Sequence, residues 1–332
     1  MVTIKDIAKI AGVNPSTVSR SLNDHPHISN KTKERIKKIA EELGFEFNEA
    51  ARTLNKKKTN TIGVIIPQFF DDMRGEIFFA NLLGKLIKEA QLKGYHVRIE
   101  YEIEKNQIKK LIQSRGVDGL LLLNPYIKKE DIEFIIEKEI PYLFLHYVAE
   151  NFKEKNLNYV RTNQEKGGYI ATKYLIEKGY KNILTLSGLS INSEFVERTK
   201  GYKKALEEFN IKNEYIIDTD VTFEAAKKVI KKEKNYLKNI DAIFAQTDLM
   251  ALGVIEALNE MNFSVPKDIP VIGFDNIQLG TYFKPRLTTI EQPISKLSKI
   301  GVKKIIDLID KKINIDQLEI IIDPKLIIRE SA

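Results

Sequence analysis

The chain has 332 residues, 43% of them hydrophobic and 30% charged, with a formal net charge of +7 and no cysteine. That length suits two or three domains, and the composition excludes disordered and collagen-like chains. Without cysteine there is no disulfide framework, thiolate metal site or cysteine nucleophile. No apolar run is long enough to span a bilayer, and the opening MVTIKDIAKIAGVN lacks the shape of a secretory signal, so a cytoplasmic protein is expected. The charge is unevenly placed. The first 60 residues hold 12 Lys and Arg against 7 Asp and Glu, a net of +5, while the other 272 hold 41 against 39. A small basic module on a nearly neutral body points to a polyanion at one end, with chance unevenness in a Lys-rich chain as the competing explanation.

The first 44 residues predict three short helices. Thr3 caps the first, Asp6 completes a capping-box pattern, and Ile4, Ile7, Ala8 and Ala11 share one face. Gly12 stops it, because only glycine takes a left-handed turn without cost. Val13 buries in the turn, Asn14 caps a second helix, and Pro15 takes its first position. In that helix Val18 and Leu22 point inward, leaving Ser16, Thr17, Ser19 and Arg20 outside. Ser29 caps a third helix with a face of Ile36, Ile39, Ala40 and Leu43, ended by Gly44. Two helices joined by Gly-Val-Asn form a helix-turn-helix pattern. The short side chains let the second helix enter a major groove, and Arg20 can fork onto a guanine edge or a phosphate.

Residues 45–60 read as a linker with a short Ala-rich helix from Asn48 to Leu54. Alone it is marginal in water. Two readings stand side by side here: a solvated tether carrying Lys56, Lys57 and Lys58, or a segment that folds on DNA and wedges Leu54 into the minor groove.

From residue 61 strands and helices alternate. The runs TIGVII (61–66), YHVRIEY (95–101), DGLLLL (118–123) and PYLFLH (141–146) are followed by NILTLS (182–187), EYIID (214–218), DAIFA (241–245) and PVIGF (270–274). Near-continuous apolar strands imply parallel sheets buried on both faces. An irregular, polar break around residues 147–163 favours two doubly wound α/β lobes over one barrel. The expected organisation is a helix-turn-helix domain at 1–44, a hinge helix and linker at 45–60, and a two-lobed core at 61–332. The lobes would comprise about 61–160 with 291–320, and 161–290 with 321–332.

Ligands of doubly wound lobes sit beyond the carboxyl ends of strands. Phe69, Phe78, Phe79, His146, Thr247, Asp248 and Asp275 lie there, and Arg198 lies on the helix after LSGLS. An arginine fork with carboxylates and aromatic faces can hold a polyol or a small acid. Each residue also has a plainer explanation: Asp248 as a helix cap, Asp275 as a turn brace, Arg198 in a surface ion pair, and the phenylalanines as core. No G-x-G-x-x-G follows a strand, which argues against a dinucleotide-dependent enzyme. His25, His27, His96 and His146 form no metal-ligand cluster beyond the pair at 25 and 27, which reads as a solvated pair in a polar loop, so no metal or cofactor is expected.

The whole chain resembles the lactose-repressor/galactose-repressor (LacI/GalR) family of bacterial transcription regulators. The resemblance runs through TIKDIAKIAGVNPSTVSRSLND, ISNKTKERIKKIAEELGF, NEAARTL, TNTIGVIIP, FFANLLGKLIKEAQLKGY, GVDGLLLL and NQEKGGYIATKYLIEKGYKNI. It continues through RTKGYKKAL, AQTDLMALGVIEAL, VPKDIPVIGFDN and PRLTTIEQP. It implies a dimeric, cytoplasmic and nucleoid-associated repressor of carbohydrate genes. The partners would be double-stranded operator DNA and a saccharide or sugar derivative held in a core of periplasmic-binding-protein type, with a galactoside as a first guess. A regulator read by a protein partner instead remains a second option.

Carried over by position, the resemblance implies DNA contacts from Thr3, Asn14, Pro15, Ser16, Thr17, Ser19, Arg20 and Asn23. Asn48 and Arg52 would lie near the backbone, and Leu54 matches the minor-groove leucine. Arg198 in R-x-x-G-Y would grip the effector, Asp275 in G-F-D-N would be its carboxylate partner, and Thr247 and Asp248 would mark the ligand-side end of a helix. There are departures. Pro15 and Ser16 occupy the usual base-reading positions, and Phe47 replaces a common proline. Residues 68–75, QFFDDMRG, add length, and His146 stands where an aspartate is common. The chain has no heptad tail after RESA, which favours a dimer over a tetramer.

Overall fold

The computed structural model describes residues 2–22, 24–45, 58–66, 76–101, 107–114, 116–124, 127–146, 148, 157–188, 193–313 and 318–332. They form two compact units, Met1–Thr59 and Asn60–Ala332.

The first unit contains α1 (Ile4–Ala11), α2 (Pro15–Leu22) and α3 (Asn30–Glu42). The capping box forms as expected: the Thr3 hydroxyl accepts from the Asp6 N–H, and the Asp6 carboxylate accepts from the Thr3 N–H at 2.8 Å. Gly12 ends α1 at φ +65, where a side chain would be strained. The amides of Thr17 and Val18 donate to the Asn14 carbonyl and start α2, while the Ser29 hydroxyl accepts from Thr32 N–H and starts α3. Ile7, Ala8, Ala11, Val18, Leu22, Ile36 and Ala40 meet in a small core. Arg35 of α3 closes the end of α1 by donating to the Ala11 carbonyl at 2.8 Å.

The second unit holds two six-stranded sheets. In the first, β1 (Thr61–Ile66) lies between β2 (His96–Tyr101) and β3 (Gly119–Leu122), followed by β4 (Tyr142–Leu145), β5 (Tyr159–Thr162) and β11 (Glu319–Ile322). All of these pairings are parallel, with Val64 opposite Ile99 on one side and Leu121 on the other. In the second, the order is β7 (Tyr215–Asp218), β6 (Ile183–Ser187), β8 (Ala242–Ala245), β9 (Val271–Asp275), β10 (Thr288–Glu291) and β12 (Lys325–Ile327). Only the β10–β12 pairing is antiparallel. The intervening helices are α4 (Glu76–Leu92), α5 (Gln107–Gln113), α6 (Lys129–Glu137), α7 (Gln164–Glu177), α8 (Ser193–Glu208), α9 (Phe223–Lys232), α10 (Asp248–Glu260) and α11 (Ile294–Ile309).

Each of the eight expected runs forms a strand, but burial on both faces holds only for the inner ones. β1, β3, β4, β6, β8 and β9 are buried nearly throughout, whereas the edge strands β2 and β7 are largely exposed or half-buried. The stretch read as an irregular break contains β5, which pairs with both β4 and β11. Its alternating half-buried and buried residues, Tyr159 to Thr162, carry no continuous apolar run, so neighbours rather than composition make it a strand.

The chain passes between the lobes three times. It leaves β5 of the first sheet for α7 beside the second at Asn163. It returns from β10 through Gln292 and Pro293 to α11, which packs on the first sheet through Leu297, Val302 and Ile305. A last crossing at Asp323 and Pro324 joins β11 to β12. The crossings are tied together: Asn163 donates to Asp323 at 3.2 Å, and Lys166 reaches the other oxygen of Asp323 at 2.5 Å.

The helices α7 and α8 cross at van der Waals contact of their backbones. A Cβ on Gly168 would overlap the Arg198 carbonyl, and one on Gly201 would overlap that of Glu165. This crossing sets the position of Arg198. Gly201→Ala is expected to destabilise the protein by about 1–3 kcal/mol, the usual cost of overpacking, read as a lower urea midpoint at unchanged slope. An unchanged midpoint would mean that the crossing can open without penalty.

Candidate functional site

On the first unit, α2 turns Val18, Ser21 and Leu22 inward. Asn14, Pro15, Ser16 and Arg20 are exposed, and Thr17 and Ser19 are half-buried. This leaves a ridge of short side chains around one guanidinium, a shape that fits a groove and offers a fork to a base edge or phosphate. Thr3 is exposed, but its hydroxyl also donates to Asp6 at 2.7 Å, so part of its capacity goes to capping. That hydrogen bonding holds the Asp6 carboxyl below its ordinary pKa. Asn23, Asn48, Arg52, Leu54 and Phe69 lie outside the described residues.

In the second unit the expected effector residues fall into three groups. The first surrounds Arg198, which is 2% exposed on the second turn of α8. Its Nε donates to Gln164 Oε1 at 2.9 Å, its Nη1 donates to the Gln246 carbonyl, and its Nη2 stands 4.0 Å from Asp275 Oδ1. The guanidinium carbon sits 3.8 Å from the Phe274 ring centroid and 5.3 Å from that of Phe195, stacking geometry that suits a weakly hydrated planar cation. Asp275 ends β9 at φ +119 and accepts from Gln292 Nε2 at 2.7 Å. Burial pushes its carboxyl up to about 6, against the opposing pull of Arg198 and the Gln292 hydrogen bond.

The second group comes from the other lobe. His146 follows β4 at φ +74 and is 5% exposed. Its ring lies 4.8 Å from Phe78 and 5.8 Å, edge-on, from Phe79. Burial first, then the positive charge of Arg198, drive its pKa down to about 3. The imidazole is therefore neutral near pH 7. The influence of Arg198 on it also places the aromatic cluster of one lobe within electrostatic reach of the guanidinium of the other.

The third group lies at the start of α10. Thr247 caps α10, its hydroxyl accepting from Met250 N–H. Asp248 opens that helix and is fully buried. One of its oxygens accepts from the Ile277 N–H at 2.7 Å and the other from the Thr289 hydroxyl. Burial and then the like charge of Asp275 hold its carboxyl well above its ordinary pKa. Asp248 thus braces the loop that carries Asp275. The three glutamines around the pair, Gln164, Gln246 and Gln292, were not singled out from the sequence. Each directly follows the last residue of a parallel strand or its neighbour, β5, β8 and β10. The rule that picked out the other site residues would have found Gln164 and Gln292 had β5 and β10 been recognised. Among the described residues no group of three potential metal ligands occurs, and no helix is long and apolar enough to cross a membrane.

Comparison with known proteins supplies an independent view. Residues 3–48 match the model of bacterial regulatory proteins of the lacI family, and residues 172–332 match that of a periplasmic binding protein-like domain. The HTH-type transcriptional repressor PurR of Vibrio vulnificus is 31% identical over 340 residues, covering 100% of this chain and 99% of the relative. Catabolite control protein A of Priestia megaterium is 31% identical over 320 residues, covering 94% and 93%. The lac repressor dimer bound to operator and the anti-inducer ONPF superposes with a TM-score of 0.83 at 23% identity, covering 99% of this chain and 98% of that one. A LacI family transcriptional regulator from Enterococcus faecium with bound ribose gives a TM-score of 0.69 at 26% identity, covering 82% and 98%.

The two shifted groups act oppositely on stability. The stability gained by a neutral His146 is complete above its ordinary value of 6.5 and is lost as pH falls from there towards 3. For Asp275 the stability of the protonated form is present below 3.8 and is lost as pH rises through about 6. His146→Phe is expected to lessen the fall in Tm between pH 7 and pH 4.5 by roughly 4–8 °C, corresponding to about 2 kcal/mol. An identical fall in both proteins would remove His146 as a source of acid sensitivity.

Proposed function

The chain belongs to the LacI family of DNA-binding transcriptional repressors, and from that premise we propose that it is a homodimeric repressor of carbohydrate-utilisation genes whose operator grip is set by a saccharide or sugar derivative between its lobes. Its relatives are repressors and not enzymes. In this reading Thr3, Asn14 to Thr17, Ser19, Arg20 and Asn23 meet the major groove, with Asn48 and Arg52 on the backbone. Each subunit supplies one half-site.

The observation that carries the effector reading is the buried Arg198–Asp275 pair, 4.0 Å apart, with donors on one side of the gap and an acceptor on the other. A vicinal diol can take a hydrogen bond from the guanidinium and give one to the carboxylate, closing a gap too wide for a direct hydrogen bond. Phe78 and Phe79 offer apolar surface suited to the C–H face of a sugar ring, and neutral His146 adds no second charge. A regulator of the same family, 26% identical, carries bound ribose. A ligand that fits one arrangement of the lobes better than another shifts their populations, and with them the spacing of the two hinge segments. Leu54 of each hinge then enters the minor groove at the centre of the operator and bends it.

The test begins with a duplex selected in vitro against the purified chain. Leu54→Ala is expected to retain the selected sequence, bend it less and bind it about 10-fold more weakly, the scale of lost unstacking contacts at about 1.4 kcal/mol. Equal bending and affinity would refute the wedge. Arg198→Ala is expected to bind the duplex while losing the thermal stabilisation that saccharides give the parent chain. Retained stabilisation would take Arg198 out of the site.

A further inference from the structure

Four buried or nearly buried side chains close a ring around the effector gap. Arg198 Nε donates to Gln164 Oε1 at 2.9 Å, Gln164 Nε2 donates to Gln292 Oε1 at 3.2 Å, and Gln292 Nε2 donates to Asp275 Oδ1 at 2.7 Å. The 4.0 Å gap between Asp275 and Arg198 completes the circuit. The direction of the ring is fixed by chemistry. Arginine can only donate, so the oxygen of Gln164 faces it, and an ionised Asp275 can only accept, so the amide nitrogen of Gln292 faces it. Both glutamines are 2% exposed, so neither amide can trade its partner for water without moving.

The two ends of this ring are the effector pair, on α8 and β9. The two middle members sit at the edges of crossings, Gln164 as the first residue of α7. Gln164 directly follows Asn163, where the chain crosses from the first sheet to the second. Gln292 directly precedes Pro293, where it crosses back. We propose that Gln164 and Gln292 are positioning residues that set the width of the Arg198–Asp275 gap from two of the three inter-lobe crossings, so that the grip on a ligand and the angle between the lobes are read from one hydrogen-bonded circuit. The proposal rests on the reading of Arg198 and Asp275 as the effector pair.

Rotation of the lobes must change backbone torsions at the crossings, because these are the covalent links between the two sheets. A torsion change at Asn163 or Pro293 swings an amide that is already committed at both ends. The guanidinium at one end is fixed by the Gln246 carbonyl and by stacking on Phe274, and the carboxylate at the other sits on a loop braced by Asp248. The displacement is therefore delivered to the gap. A ligand bridging Arg198 and Asp275 stiffens the same circuit from its open side.

The test needs no effector and so stands or falls separately from the saccharide reading. The chain has no cysteine, so Lys129→Cys on α6 and Lys228→Cys on α9, both exposed, place one spin label on each lobe. Pulsed dipolar spectroscopy on spin-diluted protein reads the inter-lobe distance distribution. Carbon-13 spectra of aspartate-labelled protein, assigned with Asp275→Asn, read the titration of Asp275. Charged and titratable groups facing it are Arg198 from α8 and Asp248 from α10, with Glu291 opposite it on β10 and Arg329 holding the neighbouring Asn276, while His146 of the other lobe lies within the influence of Arg198.

Gln292→Leu removes a donor to the charged form and is expected to raise the Asp275 midpoint by about half a pH unit or more. Gln164→Leu is expected to raise it too, although Gln164 hydrogen-bonds to Gln292 and not to Asp275. Both variants are expected to broaden the distance distribution, and the double variant is expected to do no more than the larger single one, because either break opens the same ring. Should a leucine variant not fold, Gln164→Asn and Gln292→Asn withdraw the amide by one methylene and serve instead. A Gln164 variant that leaves the Asp275 titration and the distance distribution unchanged, or single effects that simply add, would overturn the proposal.

Discussion

Keeping one guanidinium out of water is the constraint around which the second unit is organised. An ion the size of Arg198 loses several kcal/mol of hydration on burial and is tolerated only where its donors are met. Here they are met by a side-chain amide, a main-chain carbonyl and the approach of a carboxylate, with an aromatic ring beneath. The neighbours show the consequences. Two helices come together through glycines so that α8 can deliver the arginine to the carboxyl ends of the strands. Asp275 stays close to it at the cost of a raised pKa, and a second carboxyl, Asp248, is buried behind it to hold its loop. The same positive charge helps keep His146 neutral. Such a concentration of buried polar groups at one point, bordered by Phe274, is the observation on which the proposed effector site rests.

The first unit works by contrast with very little. Its core is seven small or medium apolar residues, too few to hold three helices without good ends. The ends are good: a reciprocal capping box on α1, a left-handed glycine turn after it, a serine cap on α3, and Arg35 donating to a terminal carbonyl of α1. Each is worth roughly 0.5–2 kcal/mol. With the helix ends fixed by local rules of this kind, Pro15, Ser16 and Arg20 of α2 stay exposed, and none of them is needed in the core.

What could be read from the sequence follows the same division. The helix boundaries of the first unit were legible because caps and stops are short-range signals carried by Thr3, Gly12, Pro15 and Ser29. The inner strands were legible because burial on both faces writes an unbroken apolar run. β5, β10, β11 and β12 were not, being short and made strands by their partners. The site inherited that blind spot. Arg198 and Asp275 are legible as candidates, but Gln164 and Gln292, which link them, follow β5 and β10, and a glutamine has no signature apart from its setting. Asp248 is a candidate by its place just beyond a strand; in the structure its carboxylate accepts hydrogen bonds from Ile277 and Thr289.

In the proposed function a ligand between the lobes and a duplex at the amino-terminal unit are linked through one protein. Thermodynamic linkage makes this measurable in both directions. The Kd for the selected duplex, with and without a saturating saccharide that stabilises the chain, gives one ratio. The Kd for that saccharide, with and without saturating duplex, gives the other. The account requires the two ratios to be equal and to differ from one by about 5-fold or more. A saccharide that binds tightly while both ratios stay at one would contradict it.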